Sequence, residues 1–194
     1  MFRRLKRLRK RMQEYNKITE INAIARRYFV MNAFDGVLTT LGIIIGSYFG
    51  QITDPRIILI AGFGAAIAMA VSGVWGAFLT EQAERKKDLS ALEKTMLTPL
   101  KKTKLGRASS FAPWIISAID GAAPFLAAMS ILIPFMIMPI SLSYYISIGI
   151  AFVILFTLGV FLGRISKGNI LIFGAKMMLA GVVAFLISML IGFY

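Results

Sequence analysis

Five apolar stretches, each about 20 residues long, run through this chain of 194 residues. A lipid bilayer is the one solvent that accommodates so many of them in so short a chain. The composition agrees. Apolar residues make up 58% of the chain and the mean hydropathy is +0.76, too apolar to cover a water-facing surface. The pattern predicts an all-α membrane protein with five transmembrane helices, at about 28–50, 57–79, 111–137, 142–162 and 170–193. Together they make one membrane domain over 28–194. Asp54-Pro55 marks a turn between the first two spans. Residues 81–110 form the one long polar loop; it starts as a charged helical continuation of the second span, and Thr98-Pro99 ends that helical part.

Residues 1–27 are polar and basic. Leu5, Leu8, Met12 and Tyr15 recur at helical spacing among Arg and Lys. This reads as an amphipathic helix lying on the inner membrane face, with a flexible basic tail as the alternative. No short apolar core with a cleavage site follows it, so no cleaved signal is expected.

Charge sets the orientation. Of 22 Lys and Arg, twenty lie in the N-terminal segment, the 81–110 loop and the 164–169 turn. Five alternating spans place these three segments on one side, with Arg56 alone on the other. The basic side is cytoplasmic, which puts the N-terminus inside and the C-terminus outside a cell membrane. The net charge of +13 therefore reads as topology and anionic-lipid contact. Few aromatic residues are interleaved with the basic ones, which argues against nucleic acid as a partner.

The chain has no Cys and no His, so it holds no disulfide, thiolate or imidazole site. No resident cofactor is expected, and a metal must bind through oxygen or thioether groups, which suit hard or borderline divalent ions. Three ionisable residues fall inside spans: Asp35, Asp120 and Lys176. A carboxylate in hydrocarbon costs about 3 kcal/mol on insertion scales. Lys176, near the cytoplasmic end of its span, either snorkels to the headgroups or serves as counter-ion to an aspartate. Asp35 and Asp120 are too short to snorkel easily. They lie about 10 and 13 Å along their helices from Tyr28 and Phe111, at 1.5 Å per residue. Both contexts are Asp-Gly, the outline of a weak internal repeat such as transporters use to build a central site. Thr39 and Thr40 add hydroxyls, and Gly121 and Pro124 free backbone carbonyls. These groups together can ligate a partly dehydrated cation; the structural alternative is that the aspartates only hydrogen-bond neighbouring helices. Among 11 methionines, Met31, Met69, Met129, Met177 and Met178 are candidate thioether ligands, against packing as the ordinary role of methionine in apolar spans.

The stretch from Phe34-Asp35-Gly36 through Thr39-Thr40 to Gly42 and Gly46 resembles the first-span signature of the vacuolar iron transporter family. The resemblance continues through Ala61–Gly73 and on through Gly76, Leu79 and Glu84 into a charged extension. It implies a proton-coupled exporter of Fe(II), Mn(II) or related ions, working as a homodimer. It also implies that Asp35 is the first-span ligand and that Glu81, Glu84 and Glu93 are the candidates for a cytoplasmic metal-binding loop. Two positions depart from the family: Ala65 stands where a glutamate is usual, and Gly73 where a methionine is usual.

Two other readings compete. Asp-Gly in a first span also begins the signature of membrane phosphatidyl-alcohol transferases, but the Ala-Arg pair and closely following aspartates of that signature are missing, so no enzyme is expected. A non-transporting scaffold or lipid-binding subunit that has lost metal ligands is the stronger alternative. On the transporter reading, Asp120 compensates for the missing glutamate by supplying a second carboxylate. Asp120→Asn is then expected to abolish metal flux as fully as Asp35→Asn does; wild-type flux in the Asp120 variant would rule compensation out.

Overall fold

A helix satisfies its own backbone polar groups, which is why long apolar segments adopt it in lipid. The computed structural model describes residues 14–15 and 19–192. Its long elements are all helices: α1 (Ile21–Phe49), α2 (Pro55–Met96), α3 (Lys104–Ile137), α4 (Ile140–Ile165) and α5 (Ile170–Gly192). All five are long and apolar enough to cross a membrane, so the chain is a multi-pass membrane protein. The amphipathic helix expected over the N-terminal segment lies mostly outside the described residues.

The helices outrun the apolar stretches at their charged ends. α1 begins at Ile21 rather than Tyr28, directly after Glu20, whose φ of 51° breaks the helical path. α2 runs without interruption for 42 residues, so the first half of the polar loop is helix. The connection to α3 is only 97–103. Leu97 turns the chain there with φ 50°. The Glu93 carboxylate accepts the Leu100 N–H at 2.7 Å, and the Thr103 hydroxyl accepts the Gly106 N–H at 3.3 Å, serving the first turn of α3.

The other helix ends follow from local chemistry. Asp54 Oδ1 accepts the Arg56 N–H at 2.9 Å, while Pro55, with no N–H to lose, occupies the first position of α2. Asn169 Oδ1 takes the Leu171 N–H at 3.0 Å and caps α5. Between α3 and α4, the Ser143 hydroxyl lies 2.9 Å from the Pro134 carbonyl and 3.0 Å from that of Pro139. Both carbonyls also accept backbone N–H groups, from Met138 and from Leu142 and Ser143, so the hydroxyl finds its own acceptor within the turn.

The chain clusters into two compact units. The first joins the N-terminal part through Phe29 to Ser72–Gly121. Its apolar centre is Ile21, Ala112 and Ile116, with Tyr15, Ile24 and Tyr28 against them. The second joins Val30–Val71 to the chain from Ala122 on. Val37, Leu41 and Ile44 of α1, Ile131 and Leu132 of α3 and Leu155 of α4 are fully enclosed there. Tyr144 stacks edge-on with Phe135 at 5.2 Å and donates to the Ile52 carbonyl at 2.9 Å, tying the turn after α1 to α4.

In this second unit Gly36 is pressed against the α3 backbone: a Cβ there would lie 2.6 Å from the Pro124 carbonyl oxygen and 2.7 Å from its Cα. Neither atom can swing aside as a side chain would. Gly36→Ala is expected to lower stability by about 1–3 kcal/mol, the cost of overpacking. Gly149→Ala, with nothing within 4 Å of the new methyl, is expected to be neutral or to gain up to about 1 kcal/mol of helix propensity. Thermal unfolding of both variants in detergent checks this; equal losses would refute the packing account.

Candidate cation site

The sequence-predicted ligands fall into two groups with different surroundings. Asp35, Thr39 and Met69 lie in the second unit, whereas Glu81, Glu84, Glu93 and Asp120 lie in the first.

Asp35 sits in the middle of α1, and its side chain is exposed. Helical spacing places Thr39 one turn on and Gly42 two turns on, on the same face. Thr39 and Gly46 are exposed, and nothing lies within 4 Å of where a Cβ on Gly42 or Gly46 would be. The opposite face of α1 carries the buried Val37, Leu41 and Ile44. Thr40, next to Thr39, turns inward and returns its hydroxyl to the Gly36 carbonyl at 2.8 Å. So α1 packs with its apolar side and presents a carboxylate, a hydroxyl and two glycines outward. Met69 of α2 is half-buried.

Asp120 has the opposite setting, with 4% exposure. Pro124, one turn further along α3, has no N–H to give the Asp120 carbonyl in the helical pattern. Close to that carbonyl lies Gly73 of α2: a Cβ on Gly73 would be 3.1 Å from Gly121 Cα and 3.2 Å from the Asp120 carbonyl oxygen. A side chain at this position would start in tight contact with the α3 backbone, and α2 and α3 would have to give by a few tenths of an ångström to admit it.

Glu81 is also 4% exposed. Its carboxylate pairs with Arg85 one turn along α2, Oε2 to Nε at 3.3 Å. Arg85 Nη2 reaches across to the Thr19 carbonyl at 3.4 Å. Glu20, Glu84 and Asp88 line the same cavity of about 320 Å³. Tyr28 stands within electrostatic reach of Glu81, Asp120 and Glu84. Glu93, in contrast, spends one carboxylate oxygen on the Leu100 N–H. Among the described residues, no three acidic side chains converge closely enough to form a ready-made metal cluster. Arg85, Thr19 and Tyr28 were not singled out from the sequence. The i, i+4 spacing of Glu81 and Arg85 was the available signal for the first of them. Lys176 is exposed, with its ammonium 5.7 Å from the Phe173 ring centre.

Comparison with known proteins places these features in context. The model of the VIT family matches residues 26–98. That range contains Asp35, Thr39, Met69, Glu81, Glu84 and Glu93; Asp120 lies beyond it. The uncharacterized protein MJ0645 of Methanocaldococcus jannaschii is 37% identical over 161 residues, covering 81% of this chain and 83% of the relative.

The contact at Gly73 yields a direct test. Gly73→Met restores the usual family residue but sets its Cβ 3.1–3.2 Å from the Asp120–Gly121 backbone. A loss of about 1–3 kcal/mol is expected, read as a lower unfolding midpoint in detergent. Wild-type stability would show that α2 and α3 are not in backbone contact there.

Proposed function

The chain belongs to the VIT family, and from that premise we propose that it is a divalent-cation transporter that exports Fe(II)- or Mn(II)-like ions in exchange for protons. The observation that carries the reading is Asp35: a carboxylate on the exposed face of a membrane helix, beside a threonine and two open glycines. Facing lipid, that carboxylate would cost about 3 kcal/mol or more. The cost disappears if the face meets a second copy of the chain or a polar passage. The glycines suit the first case, since small residues let helices approach closely in lipid.

In the homodimer we propose, two Asp35 carboxylates approach each other and form the intramembrane cation site with Thr39 and Met69. Asp120 supplies a further carboxylate within the bundle. Glu81, Glu84 and Glu93, at the cytoplasmic end, gather cations from solution. Metal ion and proton compete for the same carboxylate oxygens, so proton arrival on one side releases the ion there. The orientation follows from the basic segments, with the N-terminus in the cytoplasm and the C-terminus outside the cell membrane. Membrane lipids are the remaining partners.

The scaffold reading draws support from the lack of a converged acidic cluster among the described residues. Proteoliposome flux separates the two. Mn(II) flux that falls at least roughly tenfold in Asp35→Asn, the size of loss seen when a metal site is perturbed, supports transport. Intact protein that moves no divalent ion supports the scaffold.

A further inference from the structure

A buried carboxylate needs a positive partner, because removing it from water without one is costly. Glu81 finds that partner within its own helix. The Arg85 guanidinium lies 3.3 Å away and extends to the Thr19 carbonyl. It therefore bridges α2 to the chain just before α1, inside a cavity that Glu20, Glu84 and Asp88 also line. Among the described residues that line it, Arg85 is the one cation.

The pairing has an unusual detail. Arg85 Nε is shielded from solvent and has no hydrogen-bond partner, although Glu81 Oε2 is near. The attraction is one of charge, without the aligned N–H···O geometry that makes Arg–carboxylate pairs strong. A pair held in this way keeps Glu81 neutralised yet can be exchanged for another cation.

We infer that Arg85 is a built-in counter-cation: its guanidinium holds the place at Glu81 that a divalent ion takes when it arrives from the cytoplasmic end, so the two occupy the cavity in alternation. This rests on the transport reading for the identity of the incoming ion. Without an ion, the Arg85 bridge to Thr19 is closed. With an ion bound, Arg85 is displaced, and the bridge opens with it. Removing the guanidinium leaves the carboxylates without their internal competitor and makes them bind the ion more tightly.

The test uses the full-length protein in proteoliposomes with Mn(II) as the probe, measuring initial flux against Mn(II) concentration. Arg85→Gln is expected to lower the half-saturating concentration about tenfold, the scale of a part-buried charge pair. Arg85→Lys keeps the charge but cannot span both partners; its half-saturating concentration is expected to fall about two- to threefold. Combining Glu81→Gln with Arg85→Gln is expected to cancel the gain. A merely structural Arg85 would reduce maximal flux without tightening half-saturation, and an unchanged or raised value in the folded variants overturns the inference. Should Arg85→Gln fail to fold, the Lys variant decides alone. If the wild type carries no flux, the transport reading falls. Mn(II) titration of the detergent-solubilised protein, followed by the electron paramagnetic resonance signal of free Mn(II), then decides the inference separately: the same order of affinities upholds it, and equal affinities overturn it.

Discussion

Helix backbones come into direct contact only where side chains vanish, and α3 is approached in this way at two points. Gly36 of α1 lies against Pro124, and Gly73 of α2 lies against Asp120 and Gly121. Lipid supplies no hydrophobic drive for helices to associate, so van der Waals contact at such points supplies much of the attraction. Both contacts fall within five consecutive residues of α3, the stretch that also contains the intramembrane Asp120. Packing and polar chemistry meet in this stretch: the glycine that lets α2 close on α3 does so at the backbone of the aspartate itself.

The two membrane aspartates share an Asp-Gly context and have different surroundings. Asp120 is enclosed by its own chain, while Asp35 is exposed on the outer face of α1. The difference follows from the neighbours of each glycine. Gly36 is covered by α3 and Gly121 by α2, while the face that bears Asp35 continues into Gly42 and Gly46, which meet nothing. Asp35 is thus open to whatever covers that face of α1. This is why the homodimer and the intramembrane cation site belong to a single proposal.

Much of this was legible in the sequence. Five helices followed from the length of the apolar runs, and the intramembrane aspartates stood out because hydrocarbon makes charge conspicuous. The extent of α1 and α2 beyond the apolar runs was less legible, because a helix does not have to stop where lipid does. Glu93 shows a different limit. The family resemblance makes it a candidate metal ligand, yet its carboxylate also caps the turn at Leu100, a role that depends on where Leu97 reverses the chain. Gly73 looked like a missing ligand in one dimension; in three it is the point where α3 needs room. The Arg85 bridge to Thr19 spans 66 positions, and no local pattern announces it.

The uninterrupted length of α2 has one more consequence. Beyond the apolar stretch that ends near Leu79, the helix continues within the first unit to Met96, about 25 Å at 1.5 Å per residue. Less the headgroup layer, the far end near Lys94 stands about two Debye lengths from the membrane surface in physiological salt. The membrane surface potential is screened out before it reaches that tip, whereas the base of the extension remains within its range. Ionic strength therefore acts differently along one helix: dissolved ions govern the charges at its end, and the lipid composition governs those at its root.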